Sequence, residues 1–89
     1  MIERELMIAN RLGLHARATA KLVQLLSGYR SYATLAAKGR EVNAKSIMGV
    51  MLLAAGMGTP VLLRVEGEDE AAAADAVAGL FERLFDEEG

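Results

Sequence analysis

Val61-Leu62-Leu63-Arg64-Val65-Glu66-Gly67-Glu68-Asp69-Glu70 is the stretch around which the rest of the chain falls into order. Its first five residues predict a strand. Four of the five are apolar and two, Val61 and Val65, are β-branched; they follow the breaker cluster Gly56-Met57-Gly58-Thr59-Pro60, and Gly67 closes them. From about Asp69 to Phe85 the pattern turns helical, with an acidic first turn that suits the positive end of a helix dipole. Val77, Leu80, Phe81 and Leu84 recur at i, i+3, i+4, i+7 and are expected to face the core. The acidic tail Asp86-Glu87-Glu88 is expected to fray.

Upstream of the breaker cluster, Ser46 begins a short helical run to about Leu53, with Val50, Leu53 and Ala54 on the face turned to the core. Residues 31–37 and 40–44 flank Lys38-Gly39, a two-residue connection suited to a tight β-hairpin. Thr19, Leu22, Val23 and Leu26 mark a helix from about 16 to 27, stopped by Gly28 and preceded by turn chemistry in Asn10-Arg11-Leu12-Gly13. Its outward face carries Ala16, Arg17, Ala20, Lys21 and Gln24. Residues 1 to about 8 predict a strand, with Ile2, Arg4, Leu6 and Ile8 on one side and Glu3, Glu5 and Met7 on the other. The resulting order, β-α-β-β-α-β-α, predicts an α+β fold. It is a two-layer open-faced sandwich, a four-stranded mostly antiparallel sheet with three helices on one face.

The 89 residues, 53% of them apolar, suffice for one core and are too few for two, so residues 1–89 are expected to form a single domain. With no cysteine, the chain has no disulfide, thiolate metal site or cysteine nucleophile, and a reducing, cytoplasmic setting fits. The charged start Met1-Ile2-Glu3-Arg4-Glu5 does not read as a signal peptide, and no apolar stretch is long enough for membrane insertion. Charge is unevenly spread: residues 1–45 hold eight Lys/Arg against three Asp/Glu, and residues 46–89 hold two against nine. Either two solvated faces of opposite sign or a basic docking surface for an acidic or phosphorylated partner accounts for this. Nucleic acid is a poor fit, because Tyr29, Tyr32, Phe81 and Phe85 have no basic run around them.

The one histidine lies in Gly13-Leu14-His15-Ala16-Arg17, where a loop enters the first helix. At the N-cap, His15 stands beside the amides of Ala16, Arg17 and Ala18, which lack intrahelical partners and favour an anion, phosphate above all. Neutral imidazole is a competent nucleophile, and the planar donors of Arg17 suit phosphoryl oxygens. Phosphoryl transfer needs mainly positioning and charge stabilisation, which these groups supply. An ordinary helix-start histidine with a solvated arginine is the alternative. One histidine without cysteine makes no plausible metal ligand set, and no hydrolase triad is apparent.

Lys45-Ser46-Ile47-Met48-Gly49-Val50-Met51-Leu52-Leu53 is apolar nearly all round. Ile47, Met48 and Met51 form a second stripe that suits either burial or a partner surface, and methionine adapts to several partners. Ser46 is placed to cap the helix, worth about 1 kcal/mol. Phosphorylation there would add about −1.5 to −2 of charge beside the stripe.

Taken together, Gly13-Leu14-His15-Ala16-Arg17 and Lys45-Ser46-Ile47-Met48-Gly49-Val50, followed by Val65-Glu66-Gly67-Glu68-Asp69-Glu70, resemble the HPr family, the histidine-containing phosphocarriers of the phosphoenolpyruvate-dependent phosphotransferase system. The resemblance spans nearly the whole chain. It implies a phosphoprotein that is a transfer intermediate and no stand-alone catalyst. Enzyme I would phosphorylate His15 on Nδ1, and an Enzyme IIA domain would receive the phosphoryl group for sugar uptake and regulation. Arg17 would stabilise that group. Ala16, Arg17, Ala20, Lys21, Ile47, Met48 and Met51 would form the shared docking surface, and Ser46 would be the target of an HPr kinase/phosphorylase. The carrier would need no cofactor and is expected to be a monomer.

The family pattern has proline after the arginine, where this chain has Ala18. Its absence should loosen the start of the helix by about 0.4–1 kcal/mol in unfolded-state entropy. Two alternatives accompany the sugar-uptake reading. One is a nitrogen- or regulation-linked branch of the same transfer chain. The other is an interaction protein gated by Ser46 phosphorylation and lacking carrier activity, which would survive His15→Ala where a carrier would not.

Overall fold

The strand pattern closes into a sheet whose centre is the most apolar segment. In the computed structural model, which describes residues 1–87, β4 (Pro60–Glu66) lies between β1 (Ile2–Met7) and β2 (Tyr32–Ala37), and β3 (Arg40–Asn43) completes the order β1-β4-β2-β3. All three pairings are antiparallel. A central strand satisfies its backbone on both sides, which suits the mostly apolar run at 61–65.

Register aligns the core-facing side chains in rows. Arg4, Leu63, Leu35 and Val42 lie across from one another, as do Ile2, Val65 and Ala33. The opposite face is polar: Arg64 on β4 pairs with Glu3 on β1 at 2.7 Å and with Glu41 on β3 at 3.1 Å. Exposed pairs of this kind add little stability. Their effect is to keep one side of the sheet wetted while the other receives the helices.

Three helices connect and cover the strands: α1 (Ala16–Ser27), α2 (Ile47–Leu52) and α3 (Glu70–Glu82). α3 packs on β1 and β4, while α1 packs against both α2 and α3. Thr19, Leu22 and Leu26 are buried as the sequence predicts, and Val23 is half-buried. The β2–β3 turn places Lys38 at φ 55° and Gly39 at φ 77°. Both residues are left-handed, as a two-residue hairpin that matches strand twist requires. These features bear out the α+β open-faced sandwich and its β-α-β-β-α-β-α order, with every strand pair antiparallel.

Three local expectations need correction. Ala54 is exposed, because α2 ends at Leu52 and Ala54 turns left-handed at φ 49°, which buries Ala55 in its place. The last helix stops at Glu82, short of Phe85, and a left-handed turn follows with Leu84, Phe85 and Asp86 at φ 57°, 54° and 60°. That reversal buries Phe85 fully and leaves Leu84 half-buried, inverting the expected helical register. Left-handed backbone is sterically costly for residues with a Cβ. Here it is offset by burial of the Phe85 ring, 4.8 Å from that of Phe81, and by the Lys21 ammonium donating to the Phe85 carbonyl at 2.7 Å. The tail therefore docks through Glu87 instead of fraying at Asp86, and Glu88 lies outside the described residues.

Candidate functional site

The loop ahead of α1 is held so tightly that the position of His15 follows from its neighbours. Gly13 sits at φ +65°, and a Cβ there would lie 2.5 Å from the Ala55 carbonyl oxygen and 2.6 Å from the Gly56 Cα. Only glycine permits that approach. The contact lets the Leu14 amide donate to Ala55 at 2.9 Å and sinks the Leu14 side chain into the core. On the helix side, the Thr19 hydroxyl donates to the Leu14 carbonyl at 3.1 Å and the Thr19 amide to that of His15 at 2.9 Å. His15 is thus fixed from before and after.

Its backbone is extended, φ −75° and ψ 179°, at the N-cap of α1, and its side chain makes no capping bond. The imidazole is left available for other chemistry and is 27% exposed. Because the bond from Thr19 to His15 opens the helical ladder, the amides of Ala16, Arg17 and Ala18 have no intrahelical acceptor. Ala16, Arg17 and Ala20 are exposed, while Ala18 is fully buried. Arg17 forms no ion pair among the described residues, so its guanidinium remains available to an incoming anion.

Two members of the site, Asn10 and Glu87, carry no sequence signal for it. The His15 Nε2 meets the Glu87 Oε2, and the other carboxylate oxygen accepts from the Asn10 amide at 3.0 Å. Asn10, fully buried, also donates to the Gly13 carbonyl at 2.8 Å. Partial burial works against the Glu87 charge. Bonds from Asn10 and His15, with the nearby charges of His15 and Lys21, outweigh it and hold the carboxyl below its ordinary 4.5. Asn10 read only as a turn former. No local pattern marked Glu87, because its contact depends on a chain reversal 72 residues after His15.

Lys21, expected on an outward face, is half-buried, with its ammonium 3.8 Å from Asp86 besides the Phe85 carbonyl. In α2, Ser46 occupies the N-cap, and its hydroxyl accepts from the Gly49 amide at 3.0 Å. Ile47, Met48 and Met51 are 47%, 78% and 44% exposed, and Leu52, outside the expected stripe, is 62% exposed. Because α2 packs beside α1, this apolar stripe lies on the element adjoining the one that carries Arg17. No cluster of three or more His, Asp or Glu among the described residues could hold a metal ion.

An α+β sandwich with a histidine at a helix N-cap, beside an arginine that forms no ion pair among the described residues, suits the class of proteins that carry a phosphoryl group on histidine. Comparison with known proteins specifies it. The family described as "PTS HPr component phosphorylation site" matches residues 2–83. A phosphocarrier protein HPr of Xylella fastidiosa is 61% identical over 88 residues, covering 99% of each chain. A phosphocarrier protein NPr of Shewanella violacea is 40% identical over 86 residues, covering 97% of this chain and 94% of the relative. The crystal structure of an HPr from Thermoanaerobacter tengcongensis superposes with a TM-score of 0.96 at 43% identity, covering both chains fully. This chain belongs to the HPr family, and its function is that of a phosphotransferase-system phosphocarrier.

Proposed function

We propose that the chain accepts a phosphoryl group on His15 Nδ1 from phosphorylated Enzyme I and delivers it to an Enzyme IIA domain, acting as a monomeric single domain in the cytoplasm. The observation that carries this reading is the imidazole of His15 at the N-terminus of α1, making no capping bond, beside Arg17, which forms no ion pair among the described residues. The helix start favours negative charge on the group that His15 carries, and its amides supply donors without reorganisation. Arg17 adds a planar fork for two phosphoryl oxygens as charge builds in the transition state. Among the described residues, no helix is long and apolar enough to cross a membrane, which fits a carrier that diffuses between partners.

Ala16, Arg17, Ala20 and Lys21 on α1 would form the docking surface with Ile47, Met48 and Met51 on α2. Exposed methionine supports serial binding of donor and acceptor, since its flexible thioether adapts to different surfaces. Ser46 is the regulatory site in this reading. A phosphate there would keep its place at the helix start while setting added negative charge beside Met48, weakening an acidic partner's hold.

The test is a chase of labelled phosphoenolpyruvate through Enzyme I, this chain and a IIA domain. Label should appear on the chain and then move to the IIA domain, more slowly with Arg17→Ala and with weaker docking for Met48→Glu. Label that never reaches any IIA domain would sink the delivery step. The NPr relative favours a second reading, delivery to a nitrogen- or regulation-linked acceptor. Offering sugar-specific and regulatory IIA domains in competition separates the two by where the label goes.

A further inference from the structure

We infer that Glu87 is a positioning residue for phosphoryl transfer: by accepting the proton on His15 Nε2, it holds the imidazole in the form whose lone pair is on Nδ1. The inference deepens the reading of His15 as the phosphoryl acceptor and rests on it.

The contact belongs to a continuous set of hydrogen bonds. The Gly13 carbonyl accepts from one side of the Asn10 amide, Glu87 Oε1 accepts from the same Nδ2, and Glu87 Oε2 meets His15 Nε2. Asn10 leaves no doubt about its own orientation, because Nδ2 faces two acceptors while Oδ1 is buried without a partner among the described residues. A fully buried amide that leaves its acceptor unmet to make both donor contacts is fixed in direction. It steers the Glu87 carboxylate in turn. The docked Phe85 ring and the Lys21 bond to its carbonyl bring this segment back over the start of α1.

A carboxylate can only accept at Nε2, so in the neutral ring the proton stays on that nitrogen and the lone pair falls to Nδ1. In the transfer step, the Nδ1 lone pair forms the N–P bond as the donor protein's bond to phosphorus breaks, and the donor leaves with that electron pair. The Nε2 proton does not move. The phosphorylated ring is thereby kept in its protonated form, beside a negative charge that stabilises it. From that form the ring departs as neutral imidazole when an acceptor attacks phosphorus. The same contact serves both halves of the cycle, much as a carboxylate orients the histidine of a hydrolase.

The test compares the full-length native chain with Glu87→Ala and Glu87→Gln, using nitrogen-15 NMR of the His15 ring and the rate of phosphoryl acceptance from Enzyme I. In the native chain, Nε2 should carry an exchange-protected proton, and Nδ1 should show the shift of an unprotonated ring nitrogen. Glu87→Ala should lose that protection and slow acceptance by about 5-fold, the loss expected when a neutral hydrogen bond to exchanging water replaces the charge-assisted one, with half-saturation by Enzyme I unchanged. Glu87→Gln, which keeps a carbonyl acceptor, should restore the protected proton. An unaltered ring spectrum in Glu87→Ala, or an altered spectrum with an unaltered rate, overturns the role of Glu87. A native chain that takes no phosphoryl group overturns the reading of His15 itself, which the spectrum of the unphosphorylated protein distinguishes.

Discussion

Replacing Gly13 by alanine strikes the point where the loop bearing His15 is pressed against the segment after α2. An added Cβ would meet the Ala55 oxygen at 2.5 Å and the Gly56 Cα at 2.6 Å, both backbone atoms that no rotamer change can move. The residue would also have to hold φ +65°, which costs a side-chain-bearing residue about 1–2 kcal/mol. Relieving the clash means separating the two segments, and the bond from Leu14 to Ala55 at 2.9 Å is lost with them, at about 1–3 kcal/mol if its groups stay buried. We therefore expect Gly13→Ala to destabilise by about 2–5 kcal/mol, a fall in Tm of roughly 10–30 °C for a chain of this size. Urea unfolding followed by circular dichroism measures the first quantity and a thermal scan the second. At a temperature where the variant is still folded, phosphoryl acceptance should also slow, since His15 is displaced with the loop. A variant within 0.5 kcal/mol of the native chain would refute the steric reasoning.

Phe85→Ala should cost about 3–5 kcal/mol in urea unfolding, because the ring is fully buried against Phe81, and a loss under 1 kcal/mol would contradict the docked tail. Ser46→Ala removes the acceptor of the Gly49 amide and should lower stability by about 0.5–2 kcal/mol while leaving transfer intact; a variant that folds but no longer accepts phosphate would disagree. The Asp69 carboxylate receives the Ser31 hydroxyl and the amides of Arg30 and Ser31, which hold its pKa below the ordinary 3.8. A depressed pKa contributes stability above the unfolded value that is lost as pH falls through the folded one. The gap in urea midpoint between the native chain and Asp69→Asn should thus be full at pH 7 and shrink below about pH 4; a gap that is constant across this range would exclude the ionised carboxylate as its source.

The elements that the sequence revealed are those set by local rules. Period-two alternation marked β1, the Lys38-Gly39 pair marked the hairpin, and the apolar spacing of Thr19, Leu22 and Leu26 marked α1 with His15 at its start. Strand order was less accessible, since β1 and β4 pair across more than fifty residues of intervening chain. The failures share one cause. Ala54, Leu84, Phe85 and Asp86 adopt left-handed backbone despite having side chains, and for all but Asp86 nothing in residue type signals it. What stabilises the turn after α3 is burial of Phe85 and a bond from Lys21, both distant in sequence. The same reversal brings Glu87 to His15 and Asn10, so the part of the site missed in the sequence depends on the part of the fold missed there.

The central claim, that His15 is the atom-bearing carrier of a phosphoryl group, is met most directly by intact-mass analysis after incubation with Enzyme I and phosphoenolpyruvate. The native chain and His15→Ala are compared before and after acid treatment. One added phosphate on the native chain, lost in acid and absent from His15→Ala, is the predicted result. A phosphate that persists on His15→Ala, or none on the native chain with an active Enzyme I from the same source, would contradict it.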